Sequence, residues 1–238
     1  MSMENKGSWL LALDLAGPLG LVVLEGPGVL THSSWEGGEG ARQIFSAAAS
    51  LLEQAGIKAG DLGLLGVGRG PGSFTGIRMG IMAAKALAEV LEVPLVAPDS
   101  LAAAAVGPEG SENVFMALDA RRGELYSALF RMEARERGPF SFPRLVAGPQ
   151  VLGPQETARF LAEKAAGLEG ELLLVGSGIS AYPHLWPRGA RRAERRGPDP
   201  AGLAWLCREL HRRGEVEDHL SLVPLYLRNP DVGEVKNA

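Results

Sequence analysis

The stretch SWLLALDLAGPLGLVVLEG, residues 8–26, predicts a β-hairpin near the start of the chain. Two apolar runs flank a turn at Ala16-Gly17-Pro18, because glycine and proline interrupt sequence that otherwise favours strands. The stretch NVFMALDARRGELYSALFR, residues 113–131, repeats this plan, and in both stretches the first strand ends in Ala-Leu-Asp. We interpret the repeat as an internal duplication, with Asp14 and Asp119 at equivalent turns; chance recurrence of three residues is the alternative.

Helical and strand patterns alternate through the rest of the chain, which indicates an α/β protein. The predicted helices span residues 40–56, 76–93, 99–107, 154–167 and 200–214. The predicted strands span residues 29–35, 61–68, 94–98, 171–176 and 222–228. We therefore expect two α/β lobes: an N-terminal lobe of residues 1–103 joined by a C-terminal segment of about 215–238, and a C-terminal lobe of residues 104–214.

The glycine-rich loop GVGRGPGSFTGIRMG, residues 66–80, precedes one of the predicted helices. It matches neither the Walker A nor the dinucleotide-binding pattern, since the required Gly-Lys-Ser/Thr or final glycine is missing. Ser73 or Thr75 can cap the helix that follows. Two interpretations stay open: an anion site supported by Arg69 and Arg78, or a tight reversal from strand to helix.

The helix after this loop is apolar around most of its circumference, with Arg78, Lys85 and Glu89 as its polar positions. Such a helix should be buried on two sides. One side would pack on its own sheet, and a ridge of small residues would allow a second helix to approach closely. This ridge comprises Gly76, Gly80, Ala84 and Ala88. Together with the Ala-rich helix before it, it predicts half of a four-helix interface; an intramolecular helix layer is the alternative.

Composition excludes several classes of protein. The chain has 238 residues, a net charge of −4 and one cysteine, Cys207, so an internal disulfide or a thiolate cluster is excluded. Its four histidines lack the close spacing of metal ligands, and no segment resembles a membrane helix or targeting peptide. The run RGARRAERR, residues 188–196, could contact RNA phosphates, although plain Arg-rich composition explains it as well.

Three stretches identify the chain as similar to the bacterial TsaB (YeaZ) family. They are GRGPGSFTGIRMGIMAAKALAEVLEVPLVAPDSLAA from residue 68, ALDARRGELY from residue 117, and PLYLR from residue 224. The resemblance spans nearly the whole chain. It implies an actin-like fold, of the kind shared with sugar kinases and Hsp70, built from two ribonuclease-H-like lobes.

The resemblance also implies a function. Members of this family are partner subunits in threonylcarbamoyladenosine (t6A) modification of tRNA. They resemble the catalytic TsaD subunit but lack its metal-binding histidines, as this sequence does. We expect a noncatalytic cytoplasmic subunit with no cofactor, or ATP at most weakly bound, and with no metal. TsaD would be its heterodimer partner, TsaE would join the assembly, tRNA would be contacted indirectly, and the isolated chain would homodimerise through the same helices.

The resemblance assigns residues to two kinds of site. The expected partner interface comprises Ile44, Ala48, Leu51, Leu52, Gly76, Ile77, Gly80, Ala84, Leu87 and Ala88. The vestigial nucleotide-site positions are Asp14, Asp119, Gly176 and Gly178. The family usually has hydroxyl residues after the first aspartate, whereas Leu15, Ala16 and Gly17 stand here, which weakens the case for a nucleotide. The alternatives are an actin-like ATPase and a glycoprotease-type peptidase; for the latter, no nucleophile and base pair is visible.

Overall fold

The computed structural model describes residues 8–36, 41–134 and 138–228. The chain forms two five-stranded sheets that share one topology. The first contains β1 (Trp9–Asp14), β2 (Leu19–Gly26), β3 (Val29–Glu36), β4 (Leu62–Val67) and β5 (Leu95–Val96), in the order β3-β2-β1-β4-β5. The second contains β6 (Asn113–Asp119), β7 (Leu125–Glu133), β8 (Phe142–Leu152), β9 (Leu172–Val175) and β10 (Arg191–Ala193), in the order β8-β7-β6-β9-β10.

In each sheet, three antiparallel strands are followed by two strands that add parallel to the first. The Ala-Leu-Asp tripeptides end the equivalent central strands β1 and β6. The predicted duplication therefore has a structural counterpart in two lobes of the same ribonuclease-H-like order, and the expected actin-like α/β fold is confirmed.

The helices cover these sheets. They are α1 (Ala41–Gln54), α2 (Phe74–Leu91), α3 (Ser100–Ala105), α4 (Pro154–Ala165), α5 (Ser177–Ala181) and α6 (Pro200–Arg212). Local signals set their ends: Ser73 Oγ accepts a 3.2 Å hydrogen bond from Gly76 N at the start of α2, and Asp99 Oδ1 accepts a 2.7 Å bond from Leu101 N at the start of α3. Gly56, just after α1, has the positive φ of +67° that suits a residue following a helix.

Strand β1 is buried on both faces because helices cover the N-terminal sheet from two sides. Leu11 and Leu13 pack into the core formed with α1 and α2. Leu10 and Ala12, which point the other way along the strand, pack with Cys207 and other residues of α6. Thus α6 belongs to the N-terminal lobe, and the prediction that residues 104–214 all form the C-terminal lobe is wrong for this helix.

The last predicted strand is also wrong. Residues 222–228 form no strand, and the segment that contains them pairs with the sheet only through a bridge between Leu95 and Glu217. We call residues 216–228 the C-terminal strap. The rest of the predicted C-terminal segment, residues 229–238, lies outside the described residues. The short elements α5 and β10 were not predicted.

Candidate functional site

A cleft of about 620 Å³ separates the two lobes. Its N-terminal wall consists of the β1–β2 turn and the start of α2, and its opposite wall contains the β6–β7 turn. The strap closes one side. The lining residues are Ala16, Gly17, Pro18, Gly72, Ser73, Phe74, Thr75, Leu118, Asp119, Ala120, Arg121, Arg122, Tyr126, Ser177, Arg196, Leu225, Tyr226, Leu227 and Arg228.

The duplicated aspartates make the same local turn but have different environments. Asp14 Oδ1 accepts a 2.9 Å hydrogen bond from Ala16 N, and Asp119 Oδ1 accepts a 2.7 Å bond from Arg121 N. Asp119 is exposed and lines the cleft, whereas Asp14 is 1% exposed and does not line it. The structure therefore does not bring the two carboxylates together in one open site.

Asp14 is sealed beneath the glycine-rich loop. A Cβ on Gly68 would lie 1.8 Å from Asp14 Oδ2, and Ser100 borders the same pocket of space. Burial raises the pKa of Asp14, while hydrogen bonds from Ser100 and the backbone of Ala16 oppose that shift. Nearby Asp99 has a pKa raised to about 6, because burial outweighs the two backbone hydrogen bonds it accepts at the start of α3.

Gly176 and Gly178 pack against β6 and do not line the cleft. A Cβ would lie 2.4 Å from Ala117 O at Gly176 and 2.7 Å from Leu125 Cδ2 at Gly178, so close packing explains both glycines. The residue between them, Ser177, does face the cleft, and its Oγ accepts a 3.0 Å hydrogen bond from Asp119 N. Of the four predicted nucleotide-site positions, only Asp119 lines the cleft.

Arg121, Arg122 and Arg228 of the cleft were not predicted as site residues, whereas Arg196 belongs to the run considered for contact with RNA. Arg121 and Arg122 form the β6–β7 turn with positive φ values of 62° and 56°, a conformation unusual outside glycine. Arg196 pairs with Glu36 at 2.9 Å, and Arg228 pairs with Glu124. The signal that could have found the first two is their place in the duplicated hairpin.

Within the described ranges, no group of three His, Cys, Asp or Glu side chains is arranged to hold a metal ion. In the same part of the chain, every helix is too short or too polar to cross a lipid bilayer.

The glycine-rich loop packs its backbone directly on the β1–β2 turn. Ser73 N donates a 2.8 Å hydrogen bond to Ala16 O. A Cβ would lie 2.2 Å from Ala16 O at Gly72 and 2.1 Å from Leu15 O at Gly76. Close approach of two backbones thus accounts for these glycines, which supports the tight reversal from strand to helix.

The predicted orientation of the small-residue ridge is wrong. Gly76, Gly80, Ala84 and Ala88 are buried, and a Cβ on Gly80 would lie 3.2 Å from Leu13 Cδ1 of the sheet beneath. The ridge lets α2 sit close to its own sheet. The predicted interface residues Ile44, Ala48, Leu51 and Ile77 are likewise core residues, and Leu52 and Leu87 are partly buried at its edge.

A different apolar surface of the two helices is exposed. Phe45 of α1 is 44% exposed, and Met82 and Val90 of α2 are 71% and 78% exposed. Ala86 is exposed between them, one turn of helix after Met82. We call Phe45, Met82, Ala86 and Val90 the α1–α2 face. The structure thus exposes a side of α2 different from the ridge that the sequence predicted to face a partner.

Most arginines of the run 188–196 bind other groups of the same chain. Arg195 Nη1 donates to Ala104 O at 2.9 Å and Val106 O at 3.0 Å, at the C-terminal end of α3. Arg191 Nη1 lies 2.7 Å from Glu171 Oε2. These contacts join the run to the rest of the C-terminal lobe and to α3, so the run has a structural role.

The duplicated sheets, the cleft between them and the helices around them define a two-lobed protein of the actin-like class. Residues 40–182 match the family model for TsaD, tRNA N6-adenosine threonylcarbamoyltransferase. The chain is 30% identical over 227 residues to the Escherichia coli "tRNA threonylcarbamoyladenosine biosynthesis protein TsaB", with 92% of this chain and 94% of that protein covered. A Bacillus subtilis protein of the same name is 30% identical over 193 residues, which is 78% of both chains.

A solved structure agrees with these relatives. YeaZ from Pseudomonas aeruginosa superposes with a TM-score of 0.77 at 26% identity, covering 92% of this chain and all of that one. The chain belongs to the TsaB (YeaZ) family.

Proposed function

We propose that this chain is a noncatalytic cytoplasmic subunit in t6A biosynthesis, which binds and organises a TsaD-type catalytic subunit together with TsaE. The names of the relatives support a role in this process, since they are called tRNA threonylcarbamoyladenosine biosynthesis proteins. Transfer of the threonylcarbamoyl group to adenosine 37 would be the work of the partner, and tRNA would be contacted indirectly.

The observation that carries the proposal is the α1–α2 face. Each large apolar side chain left in water forgoes roughly 1.5 to 3 kcal/mol of burial free energy, so Phe45, Met82 and Val90 together favour a bound partner. The match to the TsaD family model begins at residue 40 and includes both helices. A TsaD-type chain would therefore have equivalent helices, and helix pairs from the two chains could pack as a four-helix interface. The isolated chain would homodimerise through the same face.

The cleft supports the noncatalytic part of the proposal. A sealed Asp14 cannot share a metal ion or a phosphate-bound water with Asp119, because only Asp119 reaches the cleft. A peptidase would need an activated nucleophile. The one cysteine, Cys207, is fully buried and burial raises its thiol pKa, which opposes formation of a thiolate.

Co-elution with TsaD tests the proposal. We expect Met82→Glu and Val90→Glu to abolish co-elution from a sizing column, since each places a charge in the proposed interface. Leu145→Glu is the matched control, because Leu145 is 47% exposed on β8 of the other lobe. Gly80→Glu is unsuitable, since it would disrupt the core. Unchanged co-elution of both interface variants, with native circular dichroism, would overturn the proposed interface.

An actin-like ATPase is the second candidate, and two features of the cleft, its volume and its arginines, favour it. The volume of about 620 Å³ is that of a small-molecule site, and Arg121 and Arg122 add positive charge for phosphates. Binding of Mg-ATP by the isolated chain separates this candidate from the first.

A further inference from the structure

The C-terminal strap crosses from one lobe to the other over a few residues. Leu222 is buried in the N-terminal core, and Leu225 N donates a 2.8 Å hydrogen bond to Arg69 O of the same lobe. Leu227 packs against the core of the C-terminal lobe. Arg228 then pairs with Glu124 after the β6–β7 turn. The strap is therefore fixed to both walls of the cleft.

The polar stripe of α2 holds the N-terminal end of the strap. Lys85 Nζ donates to the carbonyls of Leu220 at 3.0 Å and Leu222 at 3.3 Å. Glu89 Oε2 lies 2.5 Å from His219 Nε2. Together with Arg78, these are the charged positions of α2. The stripe thus serves as the attachment surface for the strap.

The middle of the strap is fixed by an aromatic contact at the mouth of the cleft. The rings of Tyr226 and Phe74 stack with centroids 5.0 Å apart, and the guanidinium of Arg78 lies 3.9 Å from the Phe74 centroid. Phe74 is the first residue of α2, so the contact ties the strap to the end of the helix that lines the cleft.

Two lobes joined by short connections are expected to move relative to each other unless further contacts prevent it. The strap provides such contacts at the cleft. The ion pair between Arg196 and Glu36 provides another, and α6 contacts the C-terminal lobe where Trp205 packs edge-on against Phe140. We propose that residues 216–228 act as a clamp that holds the two lobes at one separation. The clamp would keep the cleft from opening and would give α2 a fixed position relative to the C-terminal lobe, whether or not a partner is bound.

Distances between spin labels on the two lobes test the clamp in the full chain. Cysteines replace the exposed residues Ser34 on β3 and Ala166 after α4, and the buried Cys207 is shielded from the label. Labelled chains are diluted with an excess of unlabelled chain, so that only distances within one chain contribute. Double electron–electron resonance then gives the distribution of separations.

We expect one narrow distribution for the parent chain. Arg228→Ala, which removes the ion pair between the strap and the C-terminal lobe but leaves the Leu227 contact, shifts the distribution to longer distances and broadens it. The charge swap Arg228→Glu with Glu124→Arg restores the narrow distribution. Arg144→Ala is the matched control, because it removes a similar pair with Glu133, at 3.1 Å, inside one lobe; it leaves the distribution unchanged.

Three results would overturn the clamp. They are a broad distribution in the parent chain, an Arg228→Ala distribution that superposes on that of the parent, and equal broadening by Arg144→Ala. Circular dichroism and the thermal midpoint of each variant distinguish a released strap from an unfolded lobe, because release of the strap leaves the secondary structure intact.

Discussion

Arg78 Nε donates a 2.7 Å hydrogen bond to the hydroxyl of Tyr226, which lies 148 residues further along the chain. The bond joins the first turns of α2 to the strap, and the Tyr226 ring also stacks on Phe74. We expect Tyr226→Phe to lower the free energy of unfolding by about 1 kcal/mol, since it removes the hydroxyl and keeps the ring. Tyr226→Ala removes the stacking as well and should lower it further, by roughly 0.5 to 1.5 kcal/mol for the aromatic pair alone.

Urea unfolding monitored by circular dichroism measures both changes. The pair of variants is its own control, because they differ only in the ring. Equal stability of the two variants would show that the stacked ring does not hold the strap.

Gly76 is a second position where the structure makes a sharp prediction. A Cβ there would lie 2.1 Å from Leu15 O, a backbone atom that cannot rotate away. We expect Gly76→Ala to destabilise the chain by about 1 to 3 kcal/mol, as overpacking of a core typically does. Gly60→Ala is the control, because a Cβ at Gly60 meets nothing within 4 Å. Thermal unfolding compares the two, and a Gly76→Ala midpoint equal to that of the control would contradict the close approach.

The duplicated hairpins made the fold predictable from the sequence. The apolar strands β1 and β6, with Asp14 and Asp119 at matching ends, indicated two similar lobes, and both strands occupy the centre of their sheets. The cap at Ser73 was also predictable, since its side chain bonds to a residue three positions away. In each of these cases the deciding contacts are close in sequence.

The sequence did not show what each helix packs against, because this depends on contacts between residues distant in sequence. An apolar side of α2 can face its own sheet or a partner, and periodicity does not distinguish them. The structure places Gly80 on the sheet and Met82 in solvent. Likewise, α6 follows the C-terminal lobe in sequence but packs on β1 and β2. The polar residues of α2 bind a strap that lies 130 or more residues further along the chain, as Lys85 does with Leu220.

Asp99 predicts an unusual dependence of stability on pH. Its pKa in the folded chain is raised to about 6 from an ordinary 3.8, mainly by burial, so the folded state binds the proton more tightly than the unfolded state. The stabilisation that this carboxyl contributes to the folded state is therefore greatest at pH values below its ordinary pKa. It is lost as the pH rises from about 4 to 6, with a total loss of about 3 kcal/mol. The raised pKa of buried Asp14 acts in the same direction.

Urea unfolding at a series of pH values through this window, on the parent chain and on Asp99→Asn, checks the prediction. Asparagine keeps an oxygen that can cap α3 but does not ionise. We expect the variant to have a smaller loss of stability with rising pH and to exceed the parent at neutral pH. Parallel stability profiles for the two chains would show that Asp99 has an ordinary pKa.

Nucleotide binding distinguishes the scaffold from the ATPase. We expect calorimetry with Mg-ATP on the isolated chain to give no binding, or binding too weak to saturate. The reason is that one of the two duplicated carboxylates, Asp14, is sealed under Gly68, while Gly176 and Gly178 pack on β6 away from the cleft. Arg121→Ala and Asp119→Ala probe the residues that do line it. Micromolar binding by the parent chain that is lost in both variants would replace the noncatalytic proposal with an actin-like ATPase. Loss of binding in an unfolded variant would not count as such a result. Circular dichroism of each variant therefore accompanies the titrations.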